Sequence, residues 1–341
     1  KDGHVLGGPF YYIENGMGKQ WRWLAKIFAF FGAGVGLFGI GTFTQVNGIA
    51  SAVKNFFDPD MAHTISLFGN TYSWATVIAC LILTLCVGLV VLGGIQRIAK
   101  VSQIIVPFMA VLYVALALII VITNITAVPG AIATIVKTAF NGSALAGGAM
   151  GTMVVAMQKG IARGIFSNEA GIGSAPIAAA AVQTTEPVRQ GLVSMLGTVI
   201  DTIIICTMTG LSIVITGSWD KGLEGVAVTT RAFQVGLPFP GRVSAFILML
   251  CLVFFAFTTI LGWDYYSERC LDYLTGNNKK VVRTYRWIYI ACVFIGPYMT
   301  VSAVWTIADI VNGLMAIPNL IALLALNGVV VAETKKYFQK F

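Results

Sequence analysis

Charge is what this 341-residue sequence has least of. Only 11% of its residues are Asp, Glu, Lys or Arg, against about one-quarter in a typical soluble domain. A water-facing surface cannot be built from so few charges, which excludes a soluble enzyme or a soluble nucleic-acid-binding module. Histidine is almost missing: His4 and His63 both fall in polar loops. No nucleophile–base arrangement accompanies them, which argues against a membrane enzyme. Cys80, Cys86, Cys206, Cys251, Cys270 and Cys292 stand singly. With no zinc or redox spacing among them, they read as packing residues. An initiator Met and a signal peptide are also lacking. Lys1-Asp2-Gly3-His4 reads as a polar loop, so a further segment is expected upstream.

What is present is apolar length. Hydrophobic residues make up 57% of the chain and the mean hydropathy is +0.84. Runs such as Trp74–Gly94, Ile104–Thr123 and Phe246–Trp263 approach or exceed the ~20 residues that span a bilayer. The chain therefore reads as an all-α, polytopic membrane protein with a single transmembrane domain. Eight crossings are expected, at 24–53, 73–93, 102–125, 146–184, 188–217, 243–263, 286–301 and 304–331, with 1–23 and 332–341 outside the bilayer. Segments 129–140 and 264–275 read as amphipathic helices at the interface.

The net charge of +8 would suggest nucleic acid in a soluble protein. Here it matches the cation excess of cytoplasmic loops, so no nucleic-acid partner is expected. Placing residue 1 inside puts Lys19, Arg22, Lys26, Arg97, Lys100, Arg189, Arg269, Lys279, Lys280, Arg283, Arg286 and the C-terminal lysines on that side. Lys54, Lys137, Lys221, Arg231 and Arg242 remain outside. Both ends are expected in the cytoplasm of a cell-membrane protein. Gly32-x-x-x-Gly36, Gly147-x-x-x-Gly151 and Gly160-x-x-x-Gly164 have the spacing that lets helix backbones approach closely. Gly34-Val-Gly36-Leu-Phe-Gly39 matches a dinucleotide fingerprint, yet it follows no strand and lies in an apolar helix. It reads as helix packing, and no organic cofactor is expected.

Polar residues at membrane depth are where function is to be sought, because a mid-bilayer charge costs about 2.5–3.5 kcal/mol on insertion scales. The fourth crossing is nearly twice as long as one span, and Gly164-Ile-Phe-Ser-Asn-Glu-Ala-Gly171 sits in its middle. Two half-helices joined by an unwound segment near residues 165–171 are expected. Such a joint frees carbonyls for a cation and a helix N-terminus for an anion. Asp201 lies mid-way along the fifth crossing, beside Thr198 and Thr202. It reads either as the partner of an Arg or Lys from the broken helix or as a cation or proton ligand. Asp309, three residues before Asn312, reads as a structural cap or pair. Thr259 and Trp263 share a helix face at i, i+4, a hydroxyl and an indole suited to a small zwitterion or simply to packing. Thr42-Phe-Thr44-Gln45-Val-Asn47 is a polar cluster implying an inter-helix bond or a pocket.

Four blocks carry a resemblance: Gly7-Gly-Pro-Phe-Tyr-Tyr-Ile-Glu14, Arg163-Gly-Ile-Phe-Ser-Asn-Glu-Ala-Gly-Ile-Gly-Ser-Ala-Pro176, Ile260-Leu-Gly-Trp-Asp-Tyr-Tyr266 and Ala308-Asp-Ile-Val-Asn-Gly-Leu-Met-Ala-Ile-Pro-Asn319. With them the whole chain resembles the alanine or glycine:cation symporter family, with Phe10 where that family usually has Met. The resemblance implies a five-plus-five inverted-repeat fold of the leucine-transporter kind and sodium-coupled symport of alanine or glycine by alternating access in a monomer. It implies substrate-binding roles for Gln45, Phe166, Thr259 and Trp263. It also implies sodium sites near Thr258, Thr259, Ser167 and Asp201. Family members carry an extra helix and two core helices before the Gly-Gly-Pro-Phe-Tyr-Tyr block. The crossings here are thus expected to be core helices three to ten, with part of the site upstream. The rival readings are a proton-coupled transporter relaying through Asp201 or Glu169, and a channel or non-transporting membrane subunit.

Overall fold

The computed structural model describes residues 7–67, 69–139 and 150–340. The expected loop at residues 1–4, the start of the fourth crossing and Gly147 lie outside the described residues. The opening helix α1 (Pro9–Gly16) has Pro at its first position, where the missing N–H costs nothing. A single 3-10 turn leads into α2 (Arg22–Phe38), and α3 (Phe43–Phe57) follows after a break at residues 39–42. The first expected crossing is therefore two helices. The apolar run gave its length, while Gly39, Gly41 and the hydroxyls of Thr42 and Thr44 interrupt its hydrogen bonding. Thr42 Oγ1 donates to the Leu37 carbonyl, and Gln45 Nε2 donates to the Ile40 carbonyl at 3.1 Å, so side chains take over carbonyls that the ladder abandons.

After α3 comes a hairpin, β1 (Thr64–Leu67) and β2 (Asn70–Ser73), paired antiparallel with Thr64 opposite Ser73. It adds two short strands to the expected all-α chain. Ser73 caps α4 (Trp74–Val91), accepting from the Ala75 amide at 3.1 Å. Then come α5 (Ile95–Thr123), with Pro107 inside it, and α6 (Val128–Ala139), a helix where the segment 129–140 was expected to form one. Next, α7 (Met150–Asn168) and the five-residue α8 (Ala175–Ala179) flank a joint. Helix α9 (Pro187–Ile215) is π-helical over Val199–Cys206. A short α10 (Val226–Gly236) precedes α11 (Gly241–Thr275), which ends on Gly276 in the left-handed region. The chain closes with α12 (Lys279–Ile295), α13 (Val301–Ala325) and α14 (Asn327–Phe338).

The segment 264–275, expected as a separate interfacial helix, is instead the end of the 35-residue α11. Its polar residues are buried against neighbours rather than facing headgroups: Arg286 pairs with Glu268, and Ser267 Oγ donates to the Gly32 carbonyl. Six helical segments among the described residues are long and apolar enough to cross a membrane: Lys19–Phe57, Trp74–Val91, Gln96–Thr123, Pro187–Ile215, Gly241–Thr275 and Val301–Ala325. The protein is thus a multi-pass, mostly helical membrane protein. The other two expected crossings fall on α7 with its joint and on the 17-residue α12.

The core lies where α11 packs on α2 and α3 and where α13 packs on α2. Gly32 and Gly36 of α2 face Cys270 and Ser267 of α11 so closely that a Cβ at Gly36 would stand 1.8 Å from Ser267 Oγ. That pair fulfils the close-packing expectation. Gly160 and Gly164 have open space beside them, so their spacing joins no helices among the described residues. The long faces of α5 and α9 carry exposed apolar residues such as Ile104, Val111, Met195 and Ile203, as lipid contact requires.

Candidate functional site

The joint between α7 and α8 organises the site. Helix α7 keeps its winding through Asn168, whose Oδ1 then accepts from the Ala170 amide at 2.9 Å. That competing acceptor is a known way for Asn to end a helix. Glu169, Gly171 and Gly173 follow at φ of +54°, +76° and +97°. The unwound segment is therefore 169–174, a few residues later than the expected 165–171. Glycines at 171 and 173 supply two of the three left-handed positions without a side-chain penalty.

Glu169 is held in place by two donors. Ser174 Oγ donates to one carboxylate oxygen and Trp263 Nε1 to the other, the latter at 3.0 Å. Trp263 is 1% exposed, with its indole packed edge-on to Tyr266. The indole therefore covers the joint, and its N–H is committed to Glu169.

Gln45 and Phe166 meet at a cavity of about 480 Å³. Thr44, Asn47, Ser51, Lys54, Glu224, Ala256 and Trp305 also line it. The rings of Phe166 and Trp305 lie 4.8 Å apart. Behind them Arg163 pairs with Asp309 and lies 4.0 Å from the Trp305 ring centroid, within range of a cation–π contact. Both charged side chains are about one-third exposed, 35% and 32%, so the pair contributes position more than stability. Asp309, read from the sequence as a cap or structural pair, has found its partner 146 residues away. Local spacing links only the neighbours on each helix, Trp305 with Asp309 at i, i+4 and Arg163 with Phe166 at i, i+3; it does not join the two halves.

The other candidates lie apart from this cavity. Thr259 and Trp263 of α11 do not line it, although Phe255 and Ala256, one turn earlier, do. Thr258 Oγ1 donates to the Phe254 and Phe255 carbonyls, and Thr259 Oγ1 donates to Phe255. Each hydroxyl oxygen retains acceptor capacity. Ser167 Oγ donates to Asp201 Oδ2 at 2.6 Å, and Asn168 Nδ2 donates to Thr202 Oγ1 at 3.3 Å. Ser167 and Asp201 are thus brought together, and Asp201 takes a hydroxyl where an Arg or Lys was one expectation. Its place in the π-helical stretch Val199–Cys206 was not legible in the sequence; such stretches are frequent at functional sites. Among the described residues no three His, Cys, Asp or Glu side chains form a metal cluster. Any ion here would depend on hydroxyls, carbonyls and single carboxylates.

A joint inside a bundle of membrane helices, with a polar cavity beside it, is the arrangement of a solute carrier. The sequence profile of the Sodium:alanine symporter family matches residues 1–341. The chain belongs to that family. As a sodium:alanine symporter family member it is a transporter and not an enzyme. It is 53% identical over 342 residues to a transporter of Haemophilus influenzae, covering 100% of this chain and 70% of that protein. It is 44% identical to the sodium/alanine symporter AgcS of Methanococcus maripaludis, covering 98% of this chain and 70% of AgcS. It is 37% identical to the probable sodium/glutamine symporter GlnT of Bacillus subtilis, covering 97% of this chain and 64% of GlnT.

Proposed function

We propose that this sodium:alanine symporter family member performs sodium-coupled uptake of a small neutral amino acid, alanine or glycine, across the cell membrane by alternating access. The supporting observation is the unwound joint at residues 169–174, one helical turn beyond Phe166, which shares a cavity with Gln45. In this reading the crossings are core helices three to ten of a five-plus-five inverted repeat, with both ends of the chain cytoplasmic. Gln45 and Phe166 contact substrate from α3 and α7, and Thr259 and Trp263 approach it from α11 when the joint rearranges. Thr258 and Thr259, and separately Ser167 and Asp201, supply oxygen ligands for sodium. Sodium entry is driven by the membrane potential at about 2.3 kcal/mol per charge per 100 mV.

Uptake of labelled alanine by the protein in proteoliposomes tests the proposal. Accumulation should require an inward sodium gradient and should persist when only the pH gradient is collapsed. Uptake that follows the proton gradient and ignores sodium would transfer the coupling to protons.

A further inference from the structure

The four sequence blocks that carry the resemblance meet at the joint. Asn319 of α13 is 2% exposed and uses both ends of its amide on segments other than its own helix. Its Nδ2 donates to the Gly171 carbonyl at 2.9 Å, and its Oδ1 accepts the hydroxyl of Tyr12 from α1. Trp263 holds the neighbouring Glu169 from the other side. Burial raises the Tyr12 phenol above its ordinary pKa, so it remains a donor throughout the physiological range.

The two sides of α1 are built differently. One is interlocked: Phe10 stacks on Tyr273 with centroids 4.9 Å apart and packs on Phe28, while Glu14 accepts from Tyr273 and pairs with Arg22 at 3.5 Å. The other is smooth. A Cβ at Gly7 would meet Ala180 at 2.2 Å, one at Gly8 would meet Ile177 at 3.0 Å, and one at Gly173 would meet Pro9 at 2.9 Å. On this side glycine backbone lies against the Ala180 methyl, the Ile177 side chain and the Pro9 ring, so the surfaces can part without unthreading stacked aromatic rings or an ion pair. Tyr12–Asn319 is the hydrogen bond that ties this smooth contact together.

We propose that α1 closes the pathway on its own side of the membrane, with Tyr12–Asn319 as a latch that holds the joint and α8 shut and opens when the site turns to that side. This rests on the alternating-access reading above. Alanine and sodium would favour opening by rearranging Glu169–Gly171, whose carbonyl Asn319 holds.

Ile177 is fully buried beneath Gly8 and reports the latch once changed to Cys. In nanodiscs, with Cys86 and Cys206 replaced by Ala, Tyr12→Phe should raise the maleimide labelling rate of Ile177→Cys at least fivefold. Cys270, fully buried in α11, should stay unlabelled. Tyr12→Phe keeps the ring, so packing is retained. In an Asn319→Ala background the same Tyr12→Phe change should have no further effect. An unchanged rate at Ile177→Cys would overturn the latch. So would an equal rise at Cys270, which would mean general loosening, or an undiminished Tyr12→Phe effect without Asn319. Labelling needs no transport, so absence of sodium-driven uptake in the parent protein would count against the transport reading while this measurement still decides the latch.

Discussion

Asp58 shows how a single side chain sets local order. It follows α3, and its Oδ1 accepts from the Ala62 amide at 2.7 Å while Oδ2 accepts from Ser73 Oγ at the start of α4. The Ser73 hydroxyl, followed by the backbone amides, holds this carboxyl below its ordinary pKa. A depressed native pKa contributes stability above the unfolded value of ~3.9, and that contribution is lost as pH falls through the native value. The amides of β1 and β2 should therefore be protected from hydrogen exchange at neutral pH and lose protection below about pH 4. Asp58→Asn should flatten that pH dependence; persistence of the same profile would assign the titration to another group. Trp263 shows the limit of reading at this scale. Its i, i+4 relation to Thr259 was visible, but the partner of its N–H, Glu169, lies 94 residues away and no local pattern announces it.

At the scale of elements, breaks matter more than spans. The joint was foreseeable because Ser167-Asn168-Glu169 is flanked by glycines in a segment too long for one crossing. The break between α2 and α3 was not, because Gly39 and Gly41 lie in a run whose hydropathy resembles a continuous helix. Gly173 carries the sharpest prediction. Its φ is +97°, and a Cβ there would stand 2.7 Å from Phe28 and 3.0 Å from Asn319. The backbone conformation alone should cost Gly173→Ala about 1–3 kcal/mol, with the clash added. Thermal unfolding in detergent should show a clearly lowered Tm, whereas Gly164→Ala, with open space at its Cβ, should be close to neutral. Equal effects of the two changes would mean that the joint does not pack as described.

Across the whole molecule, the proposed eight crossings with both ends cytoplasmic would put the β1–β2 hairpin outside and the α11–α12 turn inside. In intact cells, Asn70→Cys should react with a membrane-impermeant maleimide, and Lys279→Cys should react only after permeabilisation. The opposite pattern would invert the protein, and labelling of both from outside would remove a crossing between them. The sequence by itself determined that the chain is a multi-pass membrane protein, which family it resembles, where the six helical segments long and apolar enough to cross a membrane fall, and that the 146–184 segment is interrupted. Those properties follow from composition, run length and residues near one another in the chain. Tertiary structure alone decided that α11 runs unbroken past residue 263, that Arg163 pairs with Asp309, and that Tyr12, Gly171 and Asn319 share one network. In a membrane, apolar side chains gain little by choosing a helix over lipid, so partners are selected by close approach at glycine and by polar groups that must be satisfied. Both depend on distances that exist only once the helices are side by side.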